Sequence, residues 1–410
     1  MRFNRANRSS HSGGAGSARA PRREACGDRL FAGPNNEFRF RVDSALSRPD
    51  RAILSAEDAA SAFSAVLEAL SRAISPALID GAGWTHLRDA VAGLPVGPSN
   101  GFGFEIRLGE PAAGADFYVV LPRRGALADH LMRRGEGAAP GSAAAGLRDH
   151  LAAIDTGAPW SEILGLEYDV MSGPRVTGPG LFVRIRPDLA ETGADGFPTA
   201  QTVAEWLAGA VGWRLSEGER HALGLVFDGF AAAGGKVADV GIIPDRPVRA
   251  LKVVSRSLEP ARVLPVLARL GWSGPAGEVA AFLSAFAGLF RTLRLAVGVA
   301  TGGVLPRIGI ELFQGVPGSL GHPASGDWGP LLARLCEDGL CLPGKSEGLL
   351  ALPGREFVFR GRDTFGILTA VHHIKVSFEE REGGVGVEAK AYPAAAYLPF
   401  DTILSRSRSR

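Results

Sequence analysis

Apolar residues along this chain follow two alternating rhythms, a spacing of three to four and a strict alternation. The first predicts helices, because every third or fourth residue returns to one helix face. The second predicts strands, whose successive side chains point to opposite sides. A first round has a helix over Glu57–Ile74, strands GFEIRLG from Gly103 and DFYVVLP from Asp116 around the turn EPAAGA, and a helix near Leu127–Arg134. The second runs helix Ala143–Ile154, strands LGLEYDVM from Leu164 and LFVRIRP from Leu181, then helix Thr202–Val211. Ser216 and Glu219 form a capping-box signature that opens the third round. Its parts are helix Glu217–Ala232, strands ADVGIIP from Ala238 and VRALKVVS from Val248, and helix Glu259–Leu270. A fourth follows with helix Glu278–Phe290, strands TLRLAVGV from Thr292 and RIGIELF from Arg307, and helix Trp328–Glu337. The fifth has a poorly defined helix around Lys345–Leu352, a short extended piece EFVFRG from Glu356, and strands HHIKVSFEE from His372 and VGVEAKAY from Val385.

Strand pairs joined by short turns read as antiparallel hairpins. Five of them, alternating with helices, predict an α+β fold of five αββα rounds. Sorting each strand by parity leaves one apolar face every time, such as Phe104/Ile106/Leu108, Leu164/Leu166/Tyr168/Val170 and Ile374/Val376/Phe378. The opposite faces carry Glu105, Arg107, Tyr118, Glu167, Asp169, Arg184, Arg186, Asp239, Lys252, Arg256, Arg294, Arg307, Glu311, Lys375, Glu379, Glu388, Lys390 and Tyr392. The apolar face must meet the helices. The polar face then looks either into bulk water, from an open sheet, or into a lumen. Ten strands left open would expose two bare edges, so a closed ten-stranded antiparallel barrel with a polar lumen, ringed by helices, is the expected architecture.

Composition adds limits. The 410 residues hold 45 Lys and Arg against 43 Asp and Glu, and 46% are hydrophobic. Near-neutral charge argues against a dedicated nucleic-acid binder, and the apolar content argues against a disordered chain. The apolar stretch Val279–Phe290 is too short to cross a membrane. Three cysteines and no signal-peptide pattern point to the cytoplasm. Residues 1–35, rich in Arg, Ser and Gly, read as a disordered arm, residues 50–400 as one barrel domain and residues 401–410 as a tail. Gly and Pro, 55 and 27 residues, exceed ordinary usage and read as turn material.

The repeat order and strand polarity resemble the αββα barrel of soluble aromatic prenyltransferases, the PT-barrel or ABBA family, over roughly residues 55–400. That resemblance implies transfer of a prenyl group from an allylic diphosphate to an aromatic acceptor, a small molecule or a peptide side chain, in specialised metabolism. It implies that Glu105, on the first strand, takes the acceptor N–H. Arg184, Arg186, Lys252, Lys390 and Tyr392 would hold the diphosphate, with Arg107, Arg307 and Lys375 as further candidates. Fixed cations stabilise the departing anion, and aromatic faces shield the allyl cation. No cofactor is required, although carboxylates in such a lumen suit Mg²⁺ carried by a diphosphate.

The chain holds only four tyrosines, and its lumen face mixes acids with bases. A second reading is therefore open: the same barrel as a binding or accessory module that clasps a peptide or a charged metabolite. Other motifs are weaker. Gly97-Pro-Ser-Asn-Gly101 has nucleophile-elbow spacing but opens a strand rather than a helix. His372-His373 lacks a third ligand at metal spacing, and Cys336 and Cys341 lack a partner cluster. No phosphate-binding P-loop and no dinucleotide glycine fingerprint occurs.

Overall fold

Alternation along the strands is answered in three dimensions by one continuous sheet. The computed structural model describes residues 66–91, 101–121, 161–171, 180–185, 197–243, 248–315, 327–360 and 363–399. The strands are β1 (Gly101–Arg107), β2 (Asp116–Leu121), β3 (Ser161–Tyr168), β4 (Gly180–Ile185), β5 (Val237–Ile242), β6 (Leu251–Ser255), β7 (Thr292–Ala300), β8 (Gly303–Phe313), β9 (Gly354–Arg360), β10 (Asp363–Arg381) and β11 (Gly384–Pro399). The helices are α1 (66–73), α2 (Gly81–Val91), α3 (Phe197–Ala210), α4 (Glu217–Ala232), α5 (Pro260–Arg269), α6 (Ala276–Ala285), α7 (Gly329–Glu337) and α8 (Pro343–Ala351). The helices expected over Leu127–Arg134 and Ala143–Ile154, the arm, the tail and the residues Gly97–Asn100 lie outside the described residues.

Ten strands close a ring. β1 to β8 pair in order, β8 pairs with β10, β10 with β11, and β11 returns to β1, every pairing antiparallel. The closing pair sets Gly101 opposite Ala396 and Arg107 opposite Lys390. Closure removes both sheet edges, so the open-sheet alternative does not apply. The extended piece at Glu356 belongs to an eleventh strand, β9, which lies outside the ring. It pairs with Asp363–Thr369 of β10, the stretch of that strand's edge beyond the Ile374–Phe378 segment used by β8.

The apolar strand faces meet the helices as expected. Phe104, Ile106, Leu166, Val183, Val240, Leu295, Ile310, Ile374 and Phe378 are all buried. Against them pack Leu223, Val226, Phe227 and Phe230 of α4, Val203 and Leu207 of α3, and Leu331 and Leu335 of α7 in one hydrophobic cluster. The capping box is present: Ser216 Oγ accepts from the Glu219 amide at 3.2 Å, and Glu219 accepts from the Ser216 amide at 2.7 Å. α2 was not expected from the pattern. Asp80 caps it, accepting from the Gly83 amide at 2.8 Å, and Trp84, Leu87 and Val91 form its buried stripe.

Candidate functional site

The polar parity of all ten ring strands faces the lumen, and several wall positions are glycines that let a large side chain lie flat. A Cβ at Gly103 would meet the Tyr118 phenol and the Pro393 carbonyl at 2.3 Å. One at Gly241 would meet the Phe182 ring at 2.2 Å, and one at Gly309 would meet Lys375 Cε at 2.3 Å. Tyr118, Phe182 and Lys375 therefore lie along the wall. The tyrosines expected in the lumen, Tyr118 and Tyr392, are both there.

Glu105 is the centre of the seam between β1 and β11. Lys390 Nζ lies 2.5 Å from one of its oxygens, and the Tyr392 hydroxyl donates to the other. Burial opposes the charge on this carboxylate, but Lys390, Lys375 and the two hydrogen bonds outweigh it and hold Glu105 well below the usual carboxylate range. Burial and the adjacent Glu105 push the Tyr392 phenol well up, so it stays a donor.

From Tyr392 a band of rings runs along the wall. Tyr118 lies 6.3 Å from Tyr392, His373 stacks on Tyr392 at 4.1 Å and 11°, and Phe313 stacks on His373 at 5.1 Å and 21°. The Arg294 guanidinium lies over Phe313, 5.0 Å from the ring centre. A bulge between Val371 and His373 breaks the alternation of β10. It lets both imidazoles meet, with Nδ1 atoms 2.7 Å apart. Burial is the main cause that pushes both histidines well below their ordinary value; His373 adds to it at His372, and Arg294 at His373.

The remaining cations divide into two groups. Arg184 donates to Asp239 at 2.9 Å, and Arg294 reaches the same carboxylate at 3.3 Å. Arg107 meets Asp116 at 3.1 Å and Glu388 at 3.7 Å, while Arg307 meets Glu388 and, at 3.4 Å, Glu379. The Arg107 and Arg307 pairs form one chain through Glu388 around the mouth where the hairpin turns lie, whereas Arg184, Asp239 and Arg294 form a separate cluster toward the other ends of their strands. Lys252 and Lys375 are different. Neither has an ion pair within 4 Å among the described residues, and each feels the other's charge. Lys252 Nζ sits 5.1 Å from the Phe182 ring centre.

Burial disfavours both ammonium ions, but the outcome differs. At Lys252 the carboxylates Glu167, Glu311 and Glu105 outweigh burial and raise its pKa. At Lys375 burial, reinforced by Lys252, pushes the pKa down to about 7. Lys252 therefore stays an ammonium while Lys375 exchanges its proton near neutral pH.

Of the residues expected at the site, Glu105, Lys390 and Tyr392 form one cluster, Lys252 and Lys375 another, and Arg184 is bound to Asp239. Arg107 and Arg307 lie in the mouth network, and Arg186 is outside the described residues. Phe182, Phe313 and Arg294 were not among the expected site residues. Counting parity from Arg184 and Glu311 places Phe182 and Phe313 on the lumen face, whereas hydrophobicity alone assigns them to the helix side. The lumen acids whose partners are seen are held by Arg, Lys or Tyr, and no group of three His, Cys, Asp or Glu with metal-ligating geometry occurs among the described residues. The donor set offers no ready-made Mg²⁺ cage there. No helix among the described residues is long and apolar enough to cross a membrane.

No protein-family model matches the chain, and no curated protein matches it. Among solved structures, AnaPT from Neosartorya fischeri is similar, with 11% identity and a TM-score of 0.39, over 72% of this chain and 77% of that one. Likeness at that level assigns no family.

Proposed function

We propose that this barrel is a transferase that moves a prenyl group from an allylic diphosphate to an aromatic acceptor, a small molecule or a peptide side chain. The observation that carries the reading is the Lys252–Lys375 pair. Two lysines without a carboxylate within 4 Å among the described residues, Lys252 over the Phe182 ring and Lys375 two residues from the His373 ring that stacks on Tyr392, suit a diphosphate whose allylic chain lies against aromatic rings. Anion binding would return Lys375 to its ammonium form, and both cations would stabilise the charge that develops on the leaving group. Phe182 and Tyr392 offer ring faces to the allyl cation.

Glu105 retains acceptor capacity. An ionised carboxylate has about four lone-pair sites, and Lys390 and Tyr392 use two. An acceptor N–H docked against Tyr118 and Tyr392 would take a third. The mouth pairs of Arg107 and Arg307 are committed to Asp116, Glu388 and Glu379, so they serve the wall in this reading.

The test is incubation with dimethylallyl or geranyl diphosphate and a library of indoles, phenols and aromatic peptides, with and without Mg²⁺. Product mass and diphosphate release are followed. Lys252→Met and Lys375→Met should abolish turnover while Glu105→Gln weakens it for N–H acceptors. Absence of product and of diphosphate release across all donors would refute the reading. A second reading, a barrel that binds a peptide or charged metabolite without prenyl chemistry, is favoured by the pairing of Arg184 with Asp239 and of Lys390 with Glu105. Saturable calorimetric binding of such ligands without turnover would support it.

A further inference from the structure

The bulge in β10 sets two imidazoles side by side where regular alternation would part them. Val371 pairs with Pro393 and His373 with Tyr392, so residue 372 is the inserted one, and the two Nδ1 atoms lie 2.7 Å apart. His373 is buried between rings from the two flanking strands, Tyr392 of β11 stacked at 4.1 Å and Phe313 of β8 at 5.1 Å. Phe313 also meets the His372 ring edge to face, at 5.6 Å and 85°. Among the described residues, neither Nε2 has a hydrogen-bond partner.

A neutral imidazole has one N–H and one bare nitrogen. A hydrogen bond between two Nδ1 atoms therefore needs opposite tautomers, one ring with its proton on Nδ1 and the other with its proton on Nε2. One outward Nε2 is then bare while the other carries a proton. The charged groups around His372 are Arg184 on β4, Arg294 on β7 and Glu311 on β8; around His373 they are Arg294, Lys375 on β10, Lys252 on β6 and Glu105 on β1. Burial first, and then the neighbouring cations, keep both rings neutral at pH 7.

We propose that the two histidines act as one proton relay: Nε2 of His373 takes the proton that the aromatic acceptor loses, the proton on its Nδ1 passes to Nδ1 of His372, and the proton on Nε2 of His372 leaves to water. The inference rests on the prenyl-transfer reading. Once the prenyl carbon has bonded to the acceptor ring, that ring is a cation whose substituted carbon still bears its hydrogen. The C–H electron pair returns to the ring as the proton goes to His373, and the relay itself gains no charge. Its starting tautomers return when water gives a proton to Nε2 of His372 and His373 releases its own into the lumen. Glu105 is held by Lys390 and Tyr392, and His373 is the next ring along the wall from Tyr392.

Two measurements on the full chain test this. Nitrogen-15 NMR of histidine-labelled protein should show opposite tautomers at His372 and His373, joined by a nitrogen–nitrogen coupling across the shared proton. In the prenylation assay, His373→Gln should lower kcat by about 100-fold or more with KM for the donor unchanged. Deuterium at the prenylated ring carbon should slow that variant further, because proton loss has become the slow step; a merely structural role would not produce this isotope effect. Like tautomers on the two rings, or no coupling between them, would overturn the relay in the unmodified protein. Parent-like turnover by His373→Gln without an isotope effect removes the base role and leaves prenyl transfer standing. No product from the parent removes both.

Discussion

Replacing Lys390 with methionine strips the buried Glu105 carboxylate of its closest cation while preserving the bulk of the side chain. Glu105 is 7% exposed and Lys390 touches it at 2.5 Å. Breaking a buried pair from one side costs about 3–5 kcal/mol, because the remaining charge stays desolvated. The Tyr392 hydrogen bond remains, and Lys375 still favours the charge, so a loss of about 3 kcal/mol is expected at pH 7. The contact of Lys390 with the partly buried Glu388, at 3.8 Å, is long and adds little. Combining Lys390→Met with Glu105→Gln removes the orphaned charge and should recover at least 1 kcal/mol of that loss, a coupling well within the range for residues in contact. Urea denaturation of the four proteins gives the cycle. The pH dependence has a fixed sign. In the parent, Glu105 lies below its unfolded value, so its contribution is present above about pH 4.3 and is lost as pH falls through the folded value. In Lys390→Met the folded value moves up, so the difference between the two proteins should grow from acid to neutral pH. A loss under about 1 kcal/mol, or additive single variants, would refute the view that this pair closes the barrel seam.

Gly103→Ala should destabilise by about 2–4 kcal/mol in the same assay, from overpacking against the Pro393 carbonyl and loss of the Tyr118–Pro393 hydrogen bond. Gly309→Ala meets only the flexible end of Lys375, so it should cost less and raise the pH at which Lys375 gains its proton. His372 and His373 lie below their unfolded value near 6.5, so the unfolded chain takes protons first as pH falls, and stability should drop by up to about 1.4 kcal/mol per pH unit for each histidine. His372→Gln should flatten that slope. Between about pH 7 and pH 10.4 the unfolded chain still holds the Lys375 proton while the folded chain has released it, so stability should rise with pH, and Lys375→Met should abolish the rise. Ser216→Ala removes one half of the capping box and should cost about 1 kcal/mol by thermal or urea unfolding.

Much of the barrel could be read from parity alone. Each strand carried its own instruction about which side meets helices, and ten such instructions with short turns left closure as the economical solution. Register could not be read. Nothing in the spacing of Glu105 and Lys390, 285 residues apart, says that they touch, because pairing across the seam is a property of the assembled sheet. The bulge at Val371–His373 defeated parity counting, since one inserted residue turns His372 toward a neighbour that alternation would hide from it. α2 escaped because Gly81 and Gly83 weaken its helical signal, and its stability comes from the Asp80 cap and the burial of Trp84 and Leu87. Glycine itself was only half understood. Turns use part of it, but Gly103, Gly241 and Gly309 stand in strands where a side chain from the neighbouring wall needs the space.

The seam between β1 and β11 also sets a clock on synthesis. At about 5–20 residues per second, the ribosome releases Lys390 roughly 15 to 60 seconds after Glu105. For that interval the outer edge of β1 has no strand to accept its hydrogen bonds, and a buried carboxylate waits for its cation. Such an edge pairs readily with any extended chain. The cell's problem with this protein is therefore one of timing: the first hairpin must be shielded until the last one arrives, and a chain cut short before β11 would present an adhesive strand rather than a smaller barrel.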